Sequence, residues 1–195
     1  IPQLRFRVAH IGPVYREVPF ETISTVRQIC ELMALDSQGF VRRVDESRRV
    51  YLASWEYAED VIPMVDLLHT DVNEARILTG VEEPRRAAKV LYEMGADVVS
   101  ITMGARGSIV AYEGEIIYVP AAKEEKLVDT TGAGDVYTAI FAVALSEGFN
   151  VRRAAAMASS ASSYLVEDHG PKGLVHREKV LIRAFEVEKH IEKIA

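Results

Sequence analysis

Asp129-Thr130-Thr131-Gly132-Ala133-Gly134-Asp135 stands directly before the apolar run Val136 to Leu145. Two glycines two apart lie between two carboxylates, at what reads as the start of a helix. Glycine permits positive φ and lets a ligand come close to the backbone. The first N–H groups of a helix lack intrahelical acceptors, and the helix dipole adds partial positive charge there. Together they make a cradle for an oxyanion or phosphate. Asp135, in the first turn, is placed to take a proton from a hydroxyl that attacks phosphorus. A helix cap followed by a tight turn has the same spacing, so on these residues alone the two readings are level.

Upstream, Asp97 to Met103 is an apolar run rich in β-branched residues and reads as a buried central strand. Thr102-Met103-Gly104-Ala105-Arg106-Gly107 leaves its end, as a nucleotide-binding loop or as a glycine turn into the next strand. Ser108 to Tyr112 and Glu115 to Val119 flank Glu113-Gly114 and read as a hairpin. Leu67 to Thr70 reads as another strand. Asp71-Val72-Asn73-Glu74 follows it, either to meet a phosphate or a metal's waters or to cap a short helix over Glu74 to Leu78. Pro84 to Met94 has proline in its first turn and Gly95 beyond its end, as helices do.

Nearer the N-terminus, Leu4 to Ile11 reads as a strand, Glu21 to Leu32 as a helix, and Met33 to Leu35 as a short strand leading to Asp36. Gln38 to Arg49 reads as a polar loop and Trp55 to Val65 as helical. After the glycine stretch come three helices, Gly132 to Glu147, Val151 to Val166 and His176 to Ile194. Alternating strands and helices predict one α/β domain over residues 1–195, with a mainly parallel sheet, helices on both faces and an antiparallel hairpin near one edge. Ligands in such sheets bind beyond the carboxyl ends of the strands. Those ends lie near Asp36, Asp71 to Asn73 and Thr102 to Gly107. The small residues Ala154, Ala155, Ala158, Ala161 and Ser162 share a helix face, for close packing or to leave room for a flat ring.

The 195 residues are 49% hydrophobic and carry a net charge of −6. That argues against nucleic-acid binding, which needs a clustered basic surface. A lone cysteine, Cys30, excludes an intrachain disulfide and suits a reducing compartment. The run Val136 to Leu145 is about half of a membrane span, and no signal-peptide pattern opens the chain. The expectation is a soluble cytoplasmic protein that engages neither membrane nor nucleic acid. No Walker-type loop and no full Gly-x-Gly-x-x-Gly is present. His10, His69, His169, His176 and His190 lack zinc-ligand spacing and read as structural or surface residues. The chain starts at Ile1 and enters a strand-like run almost at once, which suggests that an N-terminal piece is missing.

Taken in order, these segments resemble the ribokinase-like carbohydrate kinases, the phosphofructokinase-B type family. Asp129 to Asp135 resembles the family's second signature. Asn73-Glu74 with Ile77-Leu78-Thr79-Gly80 resembles its asparagine–glutamate helix, and Thr102 to Gly107 its Thr-x-Gly-x-x-Gly loop. Asp36-Ser37-Gln38-Gly39-Phe40 with Arg42 resembles a segment of members with sugar-like or nucleoside-like substrates. The resemblance implies a three-layer α/β/α fold and transfer of the γ-phosphoryl group of ATP, with Mg²⁺, to a hydroxyl of a sugar or nucleoside. It implies Asp135 as base and Gly132, Ala133 and Gly134 as anion hole. Thr102, Gly104, Gly107 and Ser159 would bind nucleotide, and Asn73 would lie near its phosphates and Mg²⁺. Asp129, Thr131 and Gly170 would contribute to a site for a monovalent cation such as K⁺.

Four departures accompany the resemblance. Ser159 stands where an asparagine near the adenine is often found, and Pro171 to Leu174 match the later cation-site residues poorly. Arg76 stands where the asparagine motif usually has glutamate, and the N-terminal third, with its first strands and β-lid, is absent. The chain would then be the C-terminal two-thirds of a kinase. Relatives often dimerise through that lid, so a homodimer is an expectation for the whole protein. A nucleotide-binding domain without catalysis is the alternative. Retention of Asp135 speaks against it, because such a domain has no use for a base there.

Overall fold

Strands that are apolar along their whole length need cover on both faces, and the sheet of this protein has it. The computed structural model describes residues 4–195, so the reading of Ile1 lies outside it. Seven strands form one sheet in the order β1-β2-β5-β6-β7-β8-β9. They are β1 (Phe6–Ile11), β2 (Cys30–Asp36), β5 (Leu67–Asp71), β6 (Val98–Thr102), β7 (Ser108–Tyr112), β8 (Glu115–Val119) and β9 (Glu192–Lys193). The pairs β1–β2, β2–β5 and β5–β6 are parallel, and the β6–β7, β7–β8 and β8–β9 pairs antiparallel. Strands β3 (Arg42–Val44) and β4 (Val50–Leu52) form a separate antiparallel pair.

The period-two alternation of strand side chains sorts the residues into two cores. Met33, Leu35, Leu68, Val99 and Ile101 face one core, which α1 (Phe20–Ile29) and α5 (Pro84–Glu93) help to cover. Ala34, Leu67, Val98, Val110 and Ile117 face the other, beneath α6 (Ala133–Ser146), α7 (Val151–Leu165) and α8 (Arg177–Glu188). This is the three-layer α/β/α arrangement. The alanine face of α7 is wholly buried between α6 and α8, so close helix packing is its role. Among the described residues no helix is long and apolar enough to cross a membrane.

Several local expectations are corrected. The helix expected to reach Leu32 ends at Ile29, and Cys30 to Leu32 belong to β2, because parallel pairing with Phe6 and Val8 of β1 claims them. The polar stretch after Gln38 is a helical turn, α2 (Gln38–Val41), followed by the β3–β4 hairpin. Trp55 to Val65 holds only α3 (Ala58–Val61) and a 3₁₀ turn. The last helix stops at Glu188, and Glu192–Lys193 add a short edge strand to β8. Short pairings of this kind are made by distant segments and leave no periodicity to read.

Because β1, β2, β5 and β6 run parallel, their carboxyl ends open on one side of the sheet. There the chain continues into the loop at Gly12, into Asp36–Ser37, into α4 (Val72–Thr79) and into the Thr102–Gly107 loop. Leu68 on β5 is fully buried, whereas Ile182 on α8 is 71% exposed. Leu68→Ala is expected to cost about 2–5 kcal/mol through transfer and cavity terms, against about 0.5 kcal/mol or less for Ile182→Ala. Urea unfolding of both variants checks this, and equal losses would contradict the assigned core.

Candidate active site

The parallel strands end in polar residues on the face turned toward α6. Val8, Ala34, Leu67 and Val98 pack into the α6 core. Two residues further along each strand, on the same face, stand His10, Asp36, His69 and Ser100, with Thr102 beyond Ser100. The register sets Asp36 beside His69, and His69 beside Ser100. Strand alternation thus carries an apolar floor directly into a polar one.

Asp36 and His69 form a buried ion pair in which His69 Nδ1 donates to Asp36 Oδ2 at 2.7 Å. His69 Nε2 lies 3.2 Å from Thr102 Oγ1 at the head of the glycine loop. Burial pulls the His69 pKa down, but the charge of Asp36 and its hydrogen bond outweigh this and hold it above the ordinary value. Burial likewise pushes Asp36 up, and the charge and hydrogen bond of His69 overcome it, leaving Asp36 below the usual carboxylate range. A Cβ on Gly134 would lie 3.3 Å from His69 Cε1 and 3.8 Å from Asp36 Oδ2. The pair therefore sits directly beneath the first turn of α6.

That turn has the geometry of an open anion cradle. Gly132 is the N-cap at φ 80°, the left-handed region that glycine enters without strain, and it supplies no side-chain cap. Ala133 N–H is used locally by Thr130 O at 3.2 Å. The N–H groups of Gly134 and Asp135 have no partner among the described residues, as the first turn of a helix dictates. Asp135 is exposed. On one side of the turn Ala133 and Gly134 line a cavity of about 280 Å³, together with Thr102, Gly104, Gly107 and Ser159. On the other, a Cβ on Gly12, just past the end of β1, would lie 3.4 Å from Asp135 Oδ1.

Three predicted roles need correction. Asn73 is exposed, and Arg76 points outward to Glu82 at 3.2 Å. The inward carboxylate is Glu74, three residues after Asp71. Asp71 caps α4 by accepting from Asn73 N and Glu74 N, while Glu74 Oε2 accepts from Asp71 N, making a capping box. The Asp-x-x-Glu frame thus begins at Asp71, and Arg76 replaces nothing inside the site. Ser159 lines the cavity, but its hydroxyl is committed, donating to Pro120 O at 3.1 Å and accepting from Ala122 N at 2.8 Å. Its one donor is thus spent on the cavity wall, and only acceptor capacity is left toward the cavity. Finally, His10 and His69 lie beside the first turn of α6, next to Gly12 and Gly134 respectively. The sequence signal for them was the polar residue closing each alternating strand.

The three residues expected at a monovalent cation lie where two loops meet. Asp129 Oδ1 accepts from Thr131 N at 2.9 Å, and this bond leads the effects that hold Asp129 below the usual carboxylate range. Asp129 Oδ2 is 3.9 Å from Nδ1 of His169, the neighbour of Gly170. Val128 N donates to Val166 O at 2.8 Å and joins the two segments. Among the described residues no group of three or more His, Cys, Asp or Glu is arranged to hold a metal. Glu74 is raised above the usual carboxylate range, by burial first and then by the charge of Asp71. Two neighbouring carboxylates suit a divalent cation that keeps its waters, as Mg²⁺ does with one or two carboxylates and substrate phosphates.

The ion pair has a defined pH signature. A histidine raised in the fold contributes stability that is full below its ordinary value of 6.5 and is lost as pH rises through the folded value. Lowered Asp36 contributes above 3.8 and loses that contribution in stronger acid. His10, held down chiefly by burial, acts in the opposite sense and costs stability below its ordinary value. The melting-temperature advantage of the wild type over His69→Gln is therefore expected to shrink from about pH 6 to about pH 9. An advantage that stays flat across that range would show that His69 is not charged in the fold.

Residues 15–176 match the family described as pfkB family carbohydrate kinase. The cytidine kinase of Thermococcus kodakarensis is 33% identical over 147 residues, which is 73% of this chain and 49% of that protein. The chain thus spans about half the length of that curated relative. A pyrophosphate-dependent kinase in the ribokinase family, solved with a pyrophosphate analog and myo-inositol, superposes with a TM-score of 0.79 at 28% identity. The superposition covers 91% of this chain and 63% of that one. The ribokinase of Arabidopsis thaliana, solved with ribose and ATP, gives a TM-score of 0.73 at 24% identity over 91% and 55% of the two chains, a likeness of fold.

Proposed function

The chain belongs to the pfkB family of carbohydrate kinases, and from that premise we propose that the protein transfers the γ-phosphoryl group of ATP to a hydroxyl of a sugar or nucleoside. One observation carries the reading. The first turn of α6 stands between a cavity on one side, lined by Ala133 and Gly134, and the bare face of Gly12 on the other, which Asp135 reaches. Donor and acceptor have separate places, with an anion cradle between them.

Asp135 accepts the proton of the attacking hydroxyl. The free N–H groups of the turn and the α6 dipole stabilise negative charge on the transferring phosphoryl. Thr102, Gly104 and Gly107 run along the nucleotide. The cavity wall of Ala121, Ala122, Leu127 and Val166 is apolar and suits a base ring, which favours a nucleotide donor over bare pyrophosphate. Asp71 and Glu74 are the residues that would hold Mg²⁺, through water and the donor's phosphates. Mg²⁺ supplies charge neutralisation between the phosphates when bound. Asp129, Thr131 and Gly170 would hold a monovalent cation and tie the loop before α6 to the segment after α7.

The test is a turnover assay with MgATP or pyrophosphate as donor and ribose, cytidine or myo-inositol as acceptor, followed by release of the spent donor. ATP is expected to be the better donor. Asp135→Asn is expected to lower turnover about 10²-fold or more, the size of a general-base contribution, while nucleotide binding persists. Turnover by Asp135→Asn near the wild-type rate would remove Asp135 as the base. Nucleotide bound without product from any acceptor would point to a binding domain instead.

A further inference from the structure

His10 Nε2 is a buried polar side-chain atom with no hydrogen-bond partner among the described residues, unlike the nitrogens of its neighbour His69. Buried polar atoms in folded proteins are satisfied in the great majority of cases, and an orphan calls for an explanation. This one does not point into the core. A Cβ on Gly12 would lie 3.3 Å from His10 Nε2 and 3.4 Å from Asp135 Oδ1. The unpaired nitrogen and the carboxylate of the base thus converge on the same bare face of one exposed glycine. Gly12 is not in the left-handed region, so its missing side chain serves the space and not the backbone.

Taking the phosphoryl-transfer reading as its basis, we propose that His10 is a specificity-determining residue for the acceptor. Its Nε2 receives a second, neutral hydroxyl, within two carbons of the one that Asp135 deprotonates. A hydroxyl both donates and accepts, so it satisfies an imidazole nitrogen in either tautomer. A negatively charged group is disfavoured at this spot, because Asp36 and Asp135 both act on His10 through their charge. The acceptor is therefore a polyol that carries no phosphate or carboxylate next to its reacting hydroxyl. Burial keeps His10 below its ordinary pKa, so the ring meets that hydroxyl as a neutral partner.

The test follows His10 directly. Imidazole ¹⁵N resonances of the labelled protein are recorded with a non-hydrolysable ATP analogue, then titrated with ribose, cytidine and myo-inositol. At least one of them is expected to shift the His10 Nε2 signal. Its affinity should fall about tenfold or more in His10→Ala, the scale of one lost hydrogen bond with its partner left unpaired. His10→Gln should recover part of that loss, because its amide supplies a neutral donor and acceptor. The analogue lacking the neighbouring hydroxyl should bind wild type and His10→Ala alike. Gly12→Ala should weaken the intact polyol by filling the shared space.

The proposal is overturned if none of the three polyols moves the His10 signal, if a polyol binds without moving it, or if the deoxy analogue loses as much as its parent in His10→Ala. Failure of the underlying reading looks different. Polyol binding registered by His10 with no phosphoryl transfer would sink the kinase reading and leave this contact standing. Turnover that discriminates acceptors identically with and without His10 would do the reverse.

Discussion

The buried pair of Asp36 and His69 is the interaction around which the site is arranged. It joins the ends of two adjacent parallel strands, reaches Thr102 on a third, and lies against Gly134 in the first turn of a helix from the opposite layer. An ion pair out of water is held only if each partner satisfies the other, and removal of one partner leaves a buried charge. Here both ring nitrogens of His69 are used. The pair also explains Gly134, since a methyl at that position would press on the imidazole. The gap that a side chain would close is the gap through which the helix N-terminus approaches the sheet.

This arrangement sits at the carboxyl end of a parallel sheet for a physical reason. The apolar rows of β1, β2, β5 and β6 need a covering layer, and α6 supplies it. At the strand ends the cover thins and each strand places one polar residue where the next apolar one would stand. The helix N-terminus then meets polar groups instead of a hydrocarbon floor. The free N–H groups of the α6 turn, the Asp135 carboxylate and a row of titratable side chains come together because cover and floor end at the same height.

The loops add a second level of order. Gly39 lies so close to Pro13 that a Cβ there would fall 2.4 Å from Pro13 O, and Arg16 N donates to Gly39 O at 3.0 Å. The segment after β1, which carries Gly12, is thus pinned to the turn after β2. Ser162 on α7 donates to Ala133 O at 2.9 Å, and Ser159 ties down Pro120 and Ala122. Side chains that read as nucleotide contacts or as mere small residues turn out to brace the cavity wall.

How much of this was legible differs by kind of signal. The glycine stretch at 132–134, the Thr102–Gly107 loop, the Glu113-Gly114 turn and the central strand were readable, because turn chemistry and local periodicity are encoded in neighbouring residues. So was Asp135 as a carboxylate beside an anion cradle. The extent of β2, the β3–β4 hairpin and β9 were not, because each is defined by pairing with a segment far away. The frame at Asp71 was misread by two positions, since Asn73 fits the motif by name while only the cap geometry shows that Glu74 turns inward. His10 and His69 looked unremarkable for the same reason: 59 positions separate them, and nothing along the chain marks them as neighbours. By itself the sequence determined the layering of the fold and the local chemistry of the α6 turn. The tertiary structure alone decided which polar residues stand beneath that turn, because strand register, not sequence distance, sets which side chains share a face.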